Sequence, residues 1–151
     1  MNITSLRFFT VYGPRQRPEM AIHKFARRIK QGRAIPRFGD GSTFRDYTYI
    51  DDIVQGAIAA IDRVDGCRVY NLGESQTVTL NELIAGIGEA LGIEPVIETL
   101  PLQPGDVMGT NADITRARNE LGYNPQVATA EGLRRFAEWF LKRPHLWQSE
   151  E

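Results

Sequence analysis

The sequence predicts an α/β fold in which a buried opening strand leads into alternating helices and short strands. Three observations predict it. A β-branched and aromatic run at the amino terminus, Ile3, Leu6, Phe8, Phe9 and Val11, is stopped by Gly13-Pro14, a backbone that can bend and cannot donate. Several later stretches carry apolar residues at helical spacing, and short strand-like runs alternate with them. One of those helices opens on Thr79-Leu80-Asn81-Glu82, the pattern of a capping box.

Taken in order, the strand at residues 3–11 ends in a loop bearing Arg15 and Arg17. Open α/β sheets bind ligands beyond the carboxyl ends of their strands, so an anionic ligand is one reading of these charges. A solvated basic loop is the other. A helix follows over residues 20–31, with Ile22, Phe25, Ala26 and Ile29 on one face and Gly32 at its end. Residues 35–38 form a short strand, and Gly39-Asp40-Gly41 turns into a second strand at 43–49. Alternation there places Arg45, Tyr47 and Tyr49 on one face and Phe44, Asp46 and Thr48 on the other. A helix at 51–62 is expected to bury Ile53, Val54, Ala57, Ile58 and Ile61, with Asp51 and Asp52 at the positive end of its dipole.

A short strand at 68–72 closes on Gly73, and the capped helix runs from Thr79 to Gly92 with Leu80, Leu83, Ile84, Ile87 and Leu91 inward. Residues 95–100 read as another strand and 101–109 as a loop. Asp113 is expected to cap a helix ending near Leu121. The last helix, 130–142, buries Leu133, Phe136, Ala137, Phe140 and Leu141. Trp139 falls off that stripe, so it packs on another element or lacks a partner, and the tail from Pro144 is expected to fray.

Composition narrows the function. The chain has 151 residues, 42% of them hydrophobic and 25% charged, which is an ordinary globular mixture for one domain. Its formal net charge of -1 argues against a nucleic-acid binder, whose basic excess would be marked. The single cysteine, Cys67, has no internal partner and no ligand-like spacing, which implies a reducing, cytoplasmic setting. No apolar run reaches the length of a membrane span, and the amino terminus lacks the features of a leader.

Two apparent motifs lose to simpler readings. Gly86-Ile-Gly-Glu-Ala-Leu-Gly92 has the look of a dinucleotide fingerprint but lies inside a helix, where that fingerprint cannot work. Asp51-Asp52 are neighbours that a helix points to different sides, so a solvated capping pair is expected rather than an acid/base dyad.

Five segments in order resemble the carboxyl-terminal part of an extended short-chain dehydrogenase/reductase, the family of NAD-dependent nucleotide-sugar epimerases and dehydratases. They are Arg-Phe-Phe-Thr-Val-Tyr-Gly-Pro at 7–14, Phe-Gly-Asp-Gly-Ser-Thr-Phe-Arg-Asp-Tyr-Thr-Tyr-Ile-Asp-Asp at 38–52, Tyr-Asn-Leu-Gly at 70–73, Gln-Pro-Gly-Asp-Val at 103–107, and Ala-Asp-Ile through Glu-Leu-Gly-Tyr-Asn-Pro at 112–125. The resemblance implies a Rossmann-type fold in which residues 1–19 complete the dinucleotide-binding sheet and substrate loop. Residues 20–143 would form the nucleotide-sugar-binding subdomain, with 144–151 a tail.

Within the family, Phe-Thr-Val-Tyr-Gly-Pro-Arg-Gln-Arg-Pro-Glu-Met with Gln-Pro-Gly-Asp looks most like the branch that inverts C4 of a UDP-uronic acid, the UDP-glucuronate 4-epimerases. The extra carboxylate suits a guanidinium and a hydroxyl, and the resemblance implies Arg17 and Thr10 for that contact. It also implies Arg45 for the diphosphate, with Tyr47 on the same face. Pro36, Arg37 and Phe38 would flank the uracil, Ala21 and Ile22 would lie under the diphosphate, and Gln103, Pro104, Gly105 and Asp106 would close on the ribose and diphosphate. Phe8 and Phe9 would meet the nicotinamide side of NAD, a core role being equally open to them.

The family reaction, as implied, passes a hydride from sugar C4 to NAD and back to the other face. It needs a Gly-rich strand-to-helix turn and a Tyr-x-x-x-Lys pair. None of the five tyrosines here is followed four residues later by lysine. The chain is therefore expected to be one part of a longer polypeptide or a truncated reading frame, inactive alone and a poor NAD binder, with its first strand open to self-association. A 4,6-dehydratase or decarboxylase, or a non-catalytic binding module, are the alternative readings.

Overall fold

The computed structural model describes residues 1–102 and 105–148. The opening strand is broken in two, β1 (Ile3–Phe8) and β2 (Thr10–Tyr12), because the chain changes partners at Phe9. β1 runs parallel to β5 (Cys67–Leu72), whereas β2 runs parallel to β4 (Phe44–Tyr49). A short strand the sequence pattern did not reveal, β6 (Thr77–Thr79), adds antiparallel to the other side of β4. β3 (Ile35–Phe38) pairs in parallel with β7 (Ile97–Leu100).

Five longer helices cover these strands: α1 (Ala21–Lys30), α2 (Ile50–Asp62), α3 (Leu80–Leu91), α4 (Thr115–Leu121) and α5 (Thr129–Leu141). The α3 capping box forms as expected: the Glu82 N–H donates to Thr79 Oγ1 at 3.2 Å and the Thr79 N–H to Glu82 Oε2 at 2.8 Å. Gly86 and Gly88 lie within α3, and Gly92 ends it in the left-handed conformation at φ 67°. Gly13, at φ 147°, lets β2 turn away where a Cβ would stand 2.7 Å from Ile50 Cγ2.

Two cores result. One joins α1, α3 and α5 around Ile22, Phe25, Leu83, Ile84, Phe136 and Phe140. The other joins α2, β5 and α4 around Ile53, Leu72, Ala117 and Tyr123.

Four expectations are corrected here. The buried face of α2 is Asp52, Ile53, Gly56 and Ala60, while Val54, Ile58 and Ile61 are 46%, 54% and 73% exposed. Helical spacing alone could not tell which of two apolar faces meets β1, β2 and β4; the small Gly56, whose Cβ would lie 2.8 Å from Tyr123, chooses the closer one. Asp52 is not a solvated cap: it is 6% exposed and accepts from the N–H groups of Gln126 (2.9 Å) and Val127 (3.0 Å). On α5, Leu141 is half-exposed at the helix end. The tail does not fray at once, since residues 145–148 form a short helix, α6 (His145–Gln148). Trp147 there packs on Phe140 and its carbonyl accepts from Gln31 Nε2 at 2.8 Å.

Trp139 finds its partners in His23, Phe136 and the Arg143 guanidinium. The helix expected from Asp113 begins two residues later, but Asp113 Oδ1 still accepts the Thr115 N–H at 2.9 Å, as a local turn.

Candidate functional site

Two open hollows flank the β2–β4 pair. The smaller, about 280 Å³, is lined by Glu19, Ala21, Lys24, Phe25, Pro36, Phe38, Thr43, Arg45, Tyr47, Leu80 and Asp106. Period-two geometry builds it: Arg45 and Tyr47 leave the same face of β4, and Pro36 and Phe38 the same face of β3. The α1 amino terminus adds positive character, because Met20 at its N-cap gives no side-chain hydrogen bond to the first N–H groups. Arg45 anchors one wall. Its guanidinium donates to the Phe44 carbonyl at 2.8 Å and meets Asp106 Oδ1 at 3.0 Å, with a quarter of its side chain exposed. Burial raises the Tyr47 phenol above its usual range, so it stays a neutral donor beside Arg45.

The larger hollow, about 510 Å³, opens at the carboxyl ends of β1 and β5 and is lined by Arg7, Phe8, Phe9, Thr10, Asn71 and Thr110. Thr10 and Tyr47 are partners in the β2–β4 register, so one pair of strands serves both hollows. The smaller offers cations and aromatic rings, the larger two phenylalanines among Arg7, Thr10, Asn71 and Thr110.

The sequence-predicted residues divide between these places. Ala21, Pro36, Phe38, Arg45, Tyr47 and Asp106 line the smaller hollow, and Phe8, Phe9 and Thr10 the larger. Arg37 lies on the opposite face of β3 from Pro36 and Phe38. It donates to Asn81 Oδ1 (3.1 Å) and Thr99 Oγ1 (2.8 Å), outside the hollow. Ile22 is wholly buried in the core behind Ala21. Arg17 lines neither hollow: its side chain is 75% exposed and reaches Glu19 at 3.5 Å, a residue that does line the smaller one. Gly105 is at a turn with φ 87°, while Gln103 and Pro104 lie outside the described residues.

Sequence reasoning missed Lys24, which lines the hollow from the first turn of α1, between the buried His23 and Phe25. It also missed a buried acidic cluster beneath Arg45. Asp46 is fully buried: its Oδ1 accepts from the Glu74 N–H (2.8 Å) and Thr48 Oγ1 (3.0 Å), and its Oδ2 from the N–H groups of Ser75 (2.9 Å) and Ala112 (3.1 Å). Strand alternation set Asp46 on the face opposite Arg45 and Tyr47 without saying which face is inward, so its burial had no signal in the sequence. Among the described residues no group of His, Cys, Asp and Glu could hold a metal ion.

Fold and site together define an α/β unit with parallel strand pairs and two hollows beside β2 and β4. Residues 1–73 match the model of the NAD dependent epimerase/dehydratase family. The chain is 39% identical over 158 residues to UDP-glucuronate 4-epimerase 5 of Arabidopsis thaliana, covering 93% of this chain and 36% of that one. It superposes with a TM-score of 0.84 and 34% identity on the UDP-glucuronic acid 4-epimerase of Bacillus cereus solved with UDP-glucuronic acid and NAD, covering 91% of this chain and 44% of that one. For the UDP-glucose 4-epimerase of Thermotoga maritima solved with UDP-glucose, the TM-score is 0.86 at 36% identity, over 95% and 47% of the two chains. The chain therefore matches the carboxyl-terminal part of an extended short-chain dehydrogenase/reductase of the NAD-dependent epimerase/dehydratase family, a family that uses NAD. It spans less than half the length of the relatives it matches, 44% and 46% of two of the most similar.

Proposed function

We propose that this chain is the nucleotide-sugar-binding part of an NAD-dependent 4-epimerase acting on a UDP-uronic acid, interconverting UDP-glucuronate and UDP-galacturonate. The observation that carries the reading is Arg45, held by the Phe44 carbonyl and Asp106 in a hollow whose other walls are Pro36, Phe38, Tyr47 and the α1 amino terminus. A diphosphate placed there would take charge-assisted hydrogen bonds from Arg45 and face the positive end of a helix, with Lys24 adding a second cation. Phe38 and Pro36 offer flat apolar surface to the base.

The sugar then points toward Thr10, which donates to it from β2, the strand paired with that of Tyr47. Arg17 reaches the uronate carboxylate by leaving Glu19, an exposed pair that holds it by less than about 1 kcal/mol. Phe8 and Phe9, apolar lining of the larger hollow, are the residues of this chain that would meet NAD. Bound NAD supplies the reversible oxidation of sugar C4. This chain binds, orients and excludes water; it has no Tyr-x-x-x-Lys pair, and alone it does not turn over. The free edge of β1, which among the described strands pairs only with β5, is the surface through which the chain associates with another.

Calorimetric titration of the chain with UDP-glucuronate and UDP-glucose tests the reading. Saturable binding of both, with Arg17→Ala weakening only the uronate, supports it; equal loss for the two sugars, or no uridine-nucleotide binding, overturns it.

A further inference from the structure

Beneath the smaller hollow, three carboxyl groups from three elements meet out of solvent: Asp46 of β4, Asp52 of α2 and Glu74 of the β5–β6 loop, which are 0%, 6% and 7% exposed. Two of them accept hydrogen bonds on both oxygens. Asp46 takes three backbone N–H groups and a hydroxyl, and Asp52 takes two N–H groups. Glu74 differs. Its Oε2 is buried with no hydrogen-bond partner among the described residues, and the Tyr123 phenol donates instead to the Gly73 carbonyl at 2.9 Å. Among the described residues, the charged and titratable groups facing it are Asp46, Asp52, Tyr12 of β2, Tyr123 and one cation, Arg118 of α4.

An added negative charge on Glu74 would be unsolvated and would stand beside two carboxylates. We propose that Glu74 is a proton-operated latch: neutral, it lets Asp46 tie the 73–75 loop and Ala112 to β4, and on losing its proton it repels Asp46 and loosens both. Burial, then Asp52 and Asp46, push its pKa up to about 7, which supports that role.

The latch bears on the hollow through two covalent neighbours. Asp46 lies between Arg45 and Tyr47 on β4. The segment ending at Ala112 starts from Asp106, the partner of Arg45, and is stitched to β4 by the Phe44 N–H on the Met108 carbonyl (3.0 Å) and the Thr110 N–H on the Phe44 carbonyl (3.2 Å). Loosening Ala112 therefore frees the wall that carries Asp106. The direction follows from the raised pKa: the tied state is fully favoured below the ordinary carboxyl value of 4.5 and is lost as pH rises through about 7.

Carbon-13 NMR of the glutamate carboxyls in the intact chain tests this, with the Glu74 signal assigned through Glu74→Gln. A carboxyl midpoint near 7, with the Ser75 and Ala112 amides moving at the same midpoint and falling still in Glu74→Gln, is the expected result. A midpoint near 4.5, or Ser75 and Ala112 amides insensitive to pH between 6 and 8 (roughly one unit either side of the expected midpoint), overturns it. Should Glu74→Gln not fold, backbone-assigned amide titration of the unmodified chain decides between the same two outcomes.

Discussion

Replacing Asp46 by alanine removes four hydrogen bonds at once, from Thr48, Glu74, Ser75 and Ala112, at distances of 2.8–3.1 Å. Three of the donors are backbone N–H groups, two of them on residues buried below a tenth of their surface and the third, Ser75, half-buried. A buried donor left without an acceptor costs about 1–3 kcal/mol, partly offset because the carboxylate itself no longer needs desolvating. The net loss should be on the order of 3–5 kcal/mol. Asp46→Asn keeps one oxygen but turns an amide NH₂ toward two N–H donors, so it should lose on the order of 2 kcal/mol. Urea unfolding followed by circular dichroism measures both. With a slope of about 1–3 kcal/mol/M, the alanine variant should unfold roughly 2 M earlier, with its slope unchanged. A loss below about 1 kcal/mol for alanine, or an asparagine variant as damaging as alanine, would refute the view that this carboxylate knots the loops together.

Other outcomes follow from the same geometry. Phe136, 1% exposed and ringed by His23, Trp139 and Phe140, should cost about 3–5 kcal/mol as alanine, read from the thermal midpoint. In Gly132→Ala the new methyl falls on the Tyr12 hydroxyl and breaks its 3.2 Å bond to the Thr129 carbonyl, a loss of about 1–3 kcal/mol by chemical denaturation. His23 is buried with its pKa lowered, first by desolvation and then by Arg27, so its contribution is present above 6.5 and lost as pH falls through the lower folded value. His23→Phe should flatten the acid limb of the stability curve. On the proposed β1 association, light scattering should show mass rising with concentration; a concentration-independent monomer with residues 3–8 protected from hydrogen exchange counts against it.

Much of the fold could be read from patterns that belong to single segments. The α3 capping box, the α1 and α5 stripes and the alternation of β4 are local, and they placed Arg45 and Tyr47 together without reference to any neighbour. The resemblance brought in Thr10, Pro36, Phe38 and Asp106, which β-strand pairing then gathers into two hollows. What stayed hidden depended on partners distant in the chain. Which apolar face of α2 is buried was decided by Gly56 against Leu72 and Tyr123. Asp52 looked like a solvated cap because its acceptors' partners, Gln126 and Val127, lie 74 and 75 residues away. Arg37 kept its strand but faces Asn81 and Thr99, since the pairing of β3 with β7 puts Pro36 and Phe38 on the hollow's side.

The most direct measurement is calorimetric titration of the chain with UDP alone, compared with Arg45→Ala. Charge-assisted hydrogen bonds of about 1.5–3 kcal/mol to the diphosphate imply binding weakened roughly 10- to 150-fold in the variant. Equal affinity in the two proteins would contradict the placement of the diphosphate against Arg45.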